Sequence, residues 1–462
     1  MVKAPDPAGP ATHSGGTIPS SSTAASGNTA ALANTAPAGS RAAGNTAPSA
    51  STAPAAGAET DAPPDPALPR VVWILAAIAI CVAVGFGILA PAVPVFARNF
   101  GVGRTAAALV VSMFAAARMA SALGVGKLVD MVGARSVLGT GLVIVAVSSG
   151  VAGFSQNYLQ LLVLRGLGGV GSAMFTVASS SVMASAVPSA VRGRAMGVWS
   201  GSFLFGGVIG PVIGGPLTAI SLRMPFFFYA GTLSVAAIVA FAALPRVPRS
   251  GREQRVAAEP PEGIRQAWRL REFRVALVAD LAGNWGNAVR MATVPLFVTE
   301  ALLLSESWAG YGLAIAAAVN ALLLLPFGRW SDRRGRLGVV AVGGFATAAG
   351  MAVLAVPPAL WVFVVAMAVG GIGSAAQAVG PAAVLGDVAN GRRGSVIATY
   401  QIVGDVGATA GPLVANGLVD LFGYPAGFGV TAAISAASGL FAAGQRVSGR
   451  RSHRQAQVNS SR

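Results

Sequence analysis

The segment GKLVDMVGAR at residues 126–135 recurs, with the same Gly–Asp–Gly spacing, as GRWSDRRGRL at residues 328–337, an offset of 202. Three shorter matches lie at offsets of 201 or 202: GVGSA at 169–173 with GIGSA at 371–375, RG at 192–193 with RG at 393–394, and GP at 210–211 with GP at 411–412. Matches at one nearly constant offset indicate an internal repeat. We therefore predict a structural unit that is present twice in the chain.

The composition around these loops is that of a membrane protein. Of the 462 residues, 54% are hydrophobic and only 10% are charged, and the mean hydropathy is +0.67. Because roughly a quarter of the residues in a soluble domain are charged, so few charges cannot cover a soluble globule of 45.9 kDa. The composition excludes a soluble enzyme and a disordered scaffold for most of the chain, and it predicts a polytopic helical membrane protein.

The apolar residues fall into twelve runs of about 18 to 25 residues, the length that crosses a bilayer as a helix. The first six predicted spans are 71–96, 105–126, 137–154, 159–183, 195–219 and 226–244. The second six are 273–297, 308–328, 338–355, 359–383, 395–419 and 424–444. We predict an all-α polytopic membrane protein whose twelve transmembrane helices form two six-helix bundles, at 71–244 and 273–444.

Polar segments flank the two bundles. Residues 1–69, rich in Ala, Pro, Ser and Thr, predict a disordered tail, and residues 445–462 form a basic tail. The linker at 245–272 is compatible with a short amphipathic helix around 262–272. With a cytoplasmic N-terminus, 26 of the 32 Lys and Arg residues lie on the cytoplasmic side and only three lie in outward loops. We therefore expect both termini and the linker to be cytoplasmic in a protein of the cell membrane.

These features resemble the major facilitator superfamily of secondary transporters. Residues 126–135 resemble its G-x-L-x-D-x-x-G-x-R loop, although Met131 stands where a basic residue is frequent and Arg333 supplies one in the second copy. The motif R-x-x-x-G-x-G matches at Arg165, Gly169 and Gly171. The motif G-x-x-x-G-P-x-x-G-G matches at Gly206, Gly210, Pro211, Gly214 and Gly215. The last motif marks the drug:proton antiporter branches of the family. The resemblance implies two bundles that open a central cavity to alternate sides.

The resemblance also implies roles for the motif residues. In the family, the aspartate of the repeated loop holds the neighbouring bundle and stabilises the outward-open state. The corresponding latch residues are Gly126, Asp130, Gly133, Arg135, Gly328, Asp332, Arg333, Gly335 and Arg336. The alternative is a charged turn that only fixes the topology. In the Gly-Pro motif, Pro211 lacks a backbone N–H and could make a bending or sealing point, the alternative being close helix packing.

Ionisable and amide side chains inside the predicted spans are the candidates for proton coupling, because each is costly in a bilayer unless it is paired or hydrated. The candidates are Asp405, Asp280, Asn284, Asn287, Arg290, Gln401, Arg165 and Arg118. Helical spacing places Asp280 and the two asparagines on one face, with Arg290 at its edge, and Gln401 on a second face with Asp405. The alternatives are a static Asp–Arg pair for the acids, a side chain that reaches the outer interface for Arg165, and structural pairing for Arg118.

The sequence therefore predicts a secondary active transporter that exports small hydrophobic or amphipathic compounds in exchange for protons. Two alternatives remain: uptake of a small organic solute by symport or facilitated diffusion, and a non-transporting membrane sensor or scaffold. Without a P-loop, and with one cysteine and two histidines in total, the chain predicts no enzyme activity, no metal and no cofactor. We expect a small-molecule substrate, a lipid surrounding, a functional monomer and, because glutamates interrupt the basic linker, no nucleic-acid partner.

Overall fold

The computed structural model describes residues 67–188, 191–245, 262–388 and 393–460, and the regular structure in these ranges is helical. The predicted tail at 1–69 lies outside the described residues except for its last three positions. The first helices are α1 Arg70–Leu89, α2 Ala92–Arg98, α3 Arg104–Val132, α4 Ala134–Ala152, α5 Tyr158–Ala186, α6 Arg192–Ile220 and α7 Met224–Ala243. They are followed by α8 Glu262–Arg269, α9 Arg271–Glu300, α10 Ser307–Arg334, α11 Arg336–Leu354, α12 Leu360–Val388, α13 Arg393–Phe422 and α14 Tyr424–Ser460.

Within the described ranges, eleven helical stretches are long and apolar enough to cross a membrane. The first of them, Arg70–Arg98, combines α1 and α2, which are separated at Pro91. The seventh predicted span, 273–297, is not among them: it corresponds to α9, which is 30 residues and therefore about 45 Å long, but the polar residues between Asp280 and Arg290 lower its hydropathy. It packs against α12, α13 and α14. The architecture is that of the predicted twelve-helix membrane protein.

Helix pairing repeats between the two halves. In the first half α1 packs against α6, α4 against α5 and α7, and α3 against α5. In the second half α9 packs against α13, α11 against α12 and α14, and α10 against α12. The repeated short motifs therefore belong to equivalent helices, and the contacts between the halves are also paired: α3 with α13, and α6 with α10.

The turns that follow α3 and α10 have the same backbone geometry. Gly133 has φ +96° and Gly335 has φ +92°, a region that residues with a Cβ rarely enter. Each glycine ends one helix and directly precedes the next, so that consecutive helices reverse direction without a loop. The conserved spacing in the repeated segment is thus explained locally by a turn that requires glycine.

Large apolar side chains from neighbouring helices fill the interior of each half. In the first half these include Leu75 of α1, Leu138 of α4 and Phe226 of α7, and in the second half Phe363 of α12 and Phe428 of α14. Packing of this kind, together with small residues at helix crossings, holds helices together where lipid removes the hydrophobic driving force. The ionisable and amide side chains of the central cavity lie outside these apolar clusters.

The linker contains one described helix. Helix α8, Glu262–Arg269, lies directly before α9 and is strongly amphipathic. Ala267 is buried while Trp268 is 47% exposed and makes an edge contact with Phe273. The short amphipathic helix compatible with residues 262–272 is therefore present.

Candidate functional site

A cavity of about 230 Å³ that contains ionisable and amide side chains lies between the two halves. Its walls are formed by α3 and α5 from the first half and by α9 and α13 from the second. The lining residues are Arg118, Ala122, Ala173, Thr176, Val177, Asp280, Asn284, Tyr400, Gln401, Gly404 and Asp405. Five of the eight side chains predicted for coupling or substrate binding therefore meet in one place.

Asp405 of α13 forms an ion pair with Arg118 of α3. The Nη2 group of Arg118 donates to Oδ1 of Asp405, and the two side chains are 38% and 19% exposed, so the pair borders the cavity. The pair joins two helices, as one predicted alternative required, but it does so across the interface between the halves. Any motion that separates α3 from α13 must break it.

Asp280 of α9 lies beside Asp405 but has different partners. Its carboxylate is hydrogen-bonded by the side chains of Tyr400 and Asn284. It packs directly against Gly404, where any side chain would collide with Oδ2 of Asp280. Tyr400 is outside the set of coupling candidates, but it is one of the aromatic residues in the predicted spans whose position is compatible with either a cavity lining or helix packing.

Arg290 and Asn287 lie farther along α9 and do not line the cavity. The Nη2 group of Arg290 donates to Oδ1 of Asn287 at 3.1 Å and to Oγ of Ser374 at 2.7 Å. Arg290 is 5% exposed, and its Nη1 group has no hydrogen-bond partner among the described residues. The arrangement joins α9 to α12 inside the second half, so a direct contact of Arg290 with a substrate in this cavity is not supported.

Arg165 lies inside the first half. It is 4% exposed, and its guanidinium lies 4.6 Å from the ring centroid of Phe114 on α3, a cation–π geometry. The alternative in which this side chain reaches the outer interface is therefore wrong. The aromatic face compensates part of the cost of burying the charge where no acid is close enough to pair with it in the described residues.

The Gly-Pro motif of α6 lies at two close helix crossings. A Cβ atom at Gly210 would approach the carbonyl oxygen of Val84 on α1 to 2.6 Å. At Gly215 it would approach the carbonyl oxygen of Ser307 on α10 to 2.7 Å. The motif thus packs α6 tightly on one side within its own half and on the other side against the second half.

The predicted latch residues lie at the C-terminal ends of α3 and α10 and in the turns that follow them. Asp130 and Asp332 are exposed, and neither forms an ion pair within the described residues. Arg135 donates to the carbonyl oxygen of Phe241, and Arg336 donates to that of Ala383. Each arginine therefore ties its turn to a helix of its own half, and in this conformation the aspartates do not hold the neighbouring half.

At the other end of α3, a cluster of charges joins the two halves. We call it the clasp: Arg98, Arg104, Thr105, Glu300, Asp420 and Tyr424. Glu300 accepts hydrogen bonds from Nε of Arg98 at 2.8 Å, Nε of Arg104 at 2.6 Å and the Tyr424 hydroxyl at 2.9 Å. Burial raises the pKa of the Glu300 carboxyl, but the hydrogen bonds from Tyr424 and the two arginines outweigh it and hold that pKa below its usual range.

Asp420 of α13 completes the clasp by capping α3. Its Oδ2 accepts from the backbone N–H of Thr105 at 2.9 Å and from the hydroxyl of Thr105 at 2.7 Å. The N-cap position itself is Gly103, which has no side chain to satisfy the free N–H groups of the first turn. A carboxylate from the other half therefore supplies the cap, and separation of the halves would uncover it.

Comparisons with known proteins agree with this architecture. The sequence profile of the Major Facilitator Superfamily matches residues 75–291 and 281–460. An uncharacterized MFS-type transporter of Methanocaldococcus jannaschii is 23% identical over 76% of this chain and 91% of its own. Multidrug resistance protein 1 of Bacillus subtilis is 27% identical over 53% of this chain and 64% of its own. The quinolone resistance protein NorA of Staphylococcus aureus is 30% identical, over 34% and 40%.

Solved structures share the fold at low sequence identity. A bacterial homolog of the human lysosomal transporter Spinster, in an inward-facing and unoccupied conformation, superimposes with a TM-score of 0.64 at 15% identity, covering 81% of this chain and 94% of that one. The nucleoside transporter NupG gives the same score and identity, covering 81% and 99%. With a family match across both halves and a paired twelve-helix architecture, the chain belongs to the major facilitator superfamily, a family of membrane transporters rather than enzymes.

Proposed function

We propose that this transporter exports small amphipathic organic cations in exchange for protons. The observation that carries the proposal is the charge balance of the cavity between the halves. Asp280 and Asp405 supply two carboxylates, whereas Arg118 supplies one cation. With both acids ionised the cavity carries one net negative charge, which a single proton or a single cationic substrate would neutralise.

This balance provides a physical basis for exchange. An unpaired charge at the middle of a membrane is costly. A cavity with one net negative charge therefore favours the binding of one cation and disfavours the binding of two at once. A proton and a substrate cation would then occupy the cavity in turn. The ion pair of Arg118 with Asp405 opposes separation of the halves, and protonation of Asp405 would remove the attraction that maintains it.

The direction of transport rests on two further arguments. The complete G-x-x-x-G-P-x-x-G-G motif of α6 is typical of antiporter branches, and two similar proteins carry names that refer to multidrug and quinolone resistance.

The conformation can be placed in the transport cycle from the two ends of the helices. The loop charges favour a cytoplasmic location for the latch residues and an outward location for the clasp. With the clasp closed and Asp130 free of ion pairs within the described residues, we assign this conformation to the inward-facing side of the cycle.

Transport in proteoliposomes tests the proposal. We expect an imposed pH gradient to drive accumulation of a small labelled organic cation that stays charged at neutral pH, such as butylguanidinium, and addition of this cation to release protons. Asp405→Asn and Asp280→Asn should reduce gradient-driven accumulation, and at least one should retain exchange of labelled for unlabelled cation. Glu272→Gln is the matched control, because Glu272 is on the same helix as Asp280 but is exposed at the predicted cytoplasmic end.

The outcomes separate the alternatives. Normal gradient-driven accumulation in both Asn variants would refute the assignment of the coupling carboxylates. Accumulation that follows the proton into the same compartment would indicate symport. Correctly folded protein that transports none of a broad set of organic cations would favour a sensor or scaffold.

A further inference from the structure

Several of the hydrogen-bond donors that line the cavity are already used within the protein. The hydroxyl of Thr176 donates to the carbonyl oxygen of Ser172 at 2.9 Å, and the Nδ2 group of Asn284 donates to the carbonyl oxygen of Asp280 at 3.0 Å. The Tyr400 hydroxyl is bonded to Asp280. Among the described lining residues, the amide of Gln401 and further N–H groups of Arg118 remain as donors, and oxygens of the two acids, the amides and the threonine remain as acceptors for a ligand.

Aromatic surface is scarce in the same cavity. Tyr400 is the one aromatic side chain among the described lining residues. Trp285 of α9 is buried in the second half, where its Nε1 group approaches Thr431, and Phe114 covers Arg165. Recognition of a quaternary ammonium or of a bulky lipophilic cation normally depends on several aromatic faces. This cavity does not offer them.

The size of the cavity points in the same direction. About 230 Å³ is below the range of roughly 300–1,000 Å³ that holds drug-sized ligands. The apolar part of the wall comes from small side chains, Ala122, Ala173 and Val177. Gly404 places the backbone directly against Asp280, so that the α13 wall adds no side chain between the two carboxylates.

We infer that the chemical group recognised here is an ammonium that carries N–H donors, on a small molecule, and that it replaces Arg118 as the partner of Asp405. The inference rests on the proposed function and narrows its substrate class. A primary ammonium offers three donors to the acceptors that surround it, as a lysine side chain does. A quaternary ammonium of equal charge offers none, and an anion would face two carboxylates.

A matched pair of probes tests the inference on the purified full chain in detergent. Butylammonium and butyltrimethylammonium have the same alkyl chain and charge and differ in their N–H donors. Calorimetric titration should give a Kd for butylammonium that is lower by at least about tenfold, because charge-assisted hydrogen bonds are lost in the quaternary probe. Butylammonium, but not its partner, should also raise the melting temperature of the protein. Asp405→Asn should remove the preference, and Glu272→Gln should keep it.

Each other outcome overturns the inference. Equal affinities, tighter binding of the quaternary probe, or no binding of butylammonium by protein with a cooperative melting transition would each exclude an N–H donor as the recognised group. Proton-coupled transport is measured separately with butylguanidinium, the cation of the transport assay. If that cation is exchanged for protons while butylammonium does not bind, the inference fails and the proposed function stands. If butylammonium binds as expected but no cation moves protons, the coupling fails and the inference stands.

Discussion

Replacement of Glu300 by Gln should open the clasp end of the protein. The substitution preserves the shape of the side chain but removes the charge that two arginines and Tyr424 share. Arg98 and Arg104 are about one-third exposed and Glu300 is 22% exposed, so solvent screening limits each pair to about 1 kcal/mol. Loss of two pairs therefore costs the closed state about 2 kcal/mol, which changes the ratio of open to closed molecules by about 30-fold.

Distances between spin labels measure this shift. Labels at Asn99→Cys and Ser305→Cys, in a Cys81→Ser background, report on exposed positions beside the clasp in different halves. We expect the Glu300→Gln protein to show an enlarged long-distance population in double electron–electron resonance. Glu306→Gln is the control, since Glu306 is close in sequence and forms no ion pair in the described residues. Unchanged distances in Glu300→Gln, or an equal change in the control, would refute the assigned role of the clasp.

Three further predictions concern the same elements. The pKa of the Glu300 carboxyl is lowered when the clasp is closed, so Glu300 should stabilise the closed clasp fully above the ordinary glutamate pKa of about 4.3. This stabilisation should be lost as the pH falls through the lowered pKa of the closed state. The same spin labels can follow the loss from about pH 7 to about pH 3. Gly210→Ala should destabilise the protein by about 1–3 kcal/mol through overpacking, whereas Gly207→Ala, where a Cβ meets open space, should leave the stability unchanged. Equal melting temperatures of the two variants would contradict this prediction. In a double-mutant cycle on thermal unfolding, Arg118→Gln and Asp405→Asn should show a coupling of about 0.5–1 kcal/mol, and additive effects would exclude the pair.

Much of the fold is encoded in patterns that are local in sequence. Apolar length, the 202-residue offset and the glycine turns predict the helices, their number and their division into two halves. The predicted ends were short where charged residues continue a helix beyond the apolar run. The predicted span ends at residue 126, whereas helix α3 continues through Lys127 and Asp130 to Val132, because the Gly133 turn rather than the bilayer edge terminates it.

The candidate site was only partly predictable. The two acids could be identified because a charged residue in a span needs a reason to be there. Their partners could not, since Arg118 lies 287 residues before Asp405 and nothing local fixes which faces of α3 and α13 meet. The clasp could have been detected in the sequence. Outward loops contain few basic residues, so Arg98 and Arg104 are unusual there, and Glu300 and Asp420 closely follow the predicted spans 273–297 and 395–419. In the count of loop charges the two arginines indicate topology only, and that count gives no role to the acids.

The clasp and the cavity are two contacts along one pair of helices. Helices α3 and α13 are antiparallel neighbours, and Arg104 is 14 residues from Arg118, while Asp420 is 15 residues from Asp405. Both intervals correspond to about 21–22 Å of helix, so the two ion pairs are in register on the same interface. A motion that separates α3 from α13 along the whole interface weakens both contacts, whereas a tilt about the level of the cavity would open the clasp alone. Where the helices separate along their length, loss of the Arg118–Asp405 pair and opening of the clasp favour each other, and because linked equilibria are reciprocal an open clasp should in turn weaken the pair.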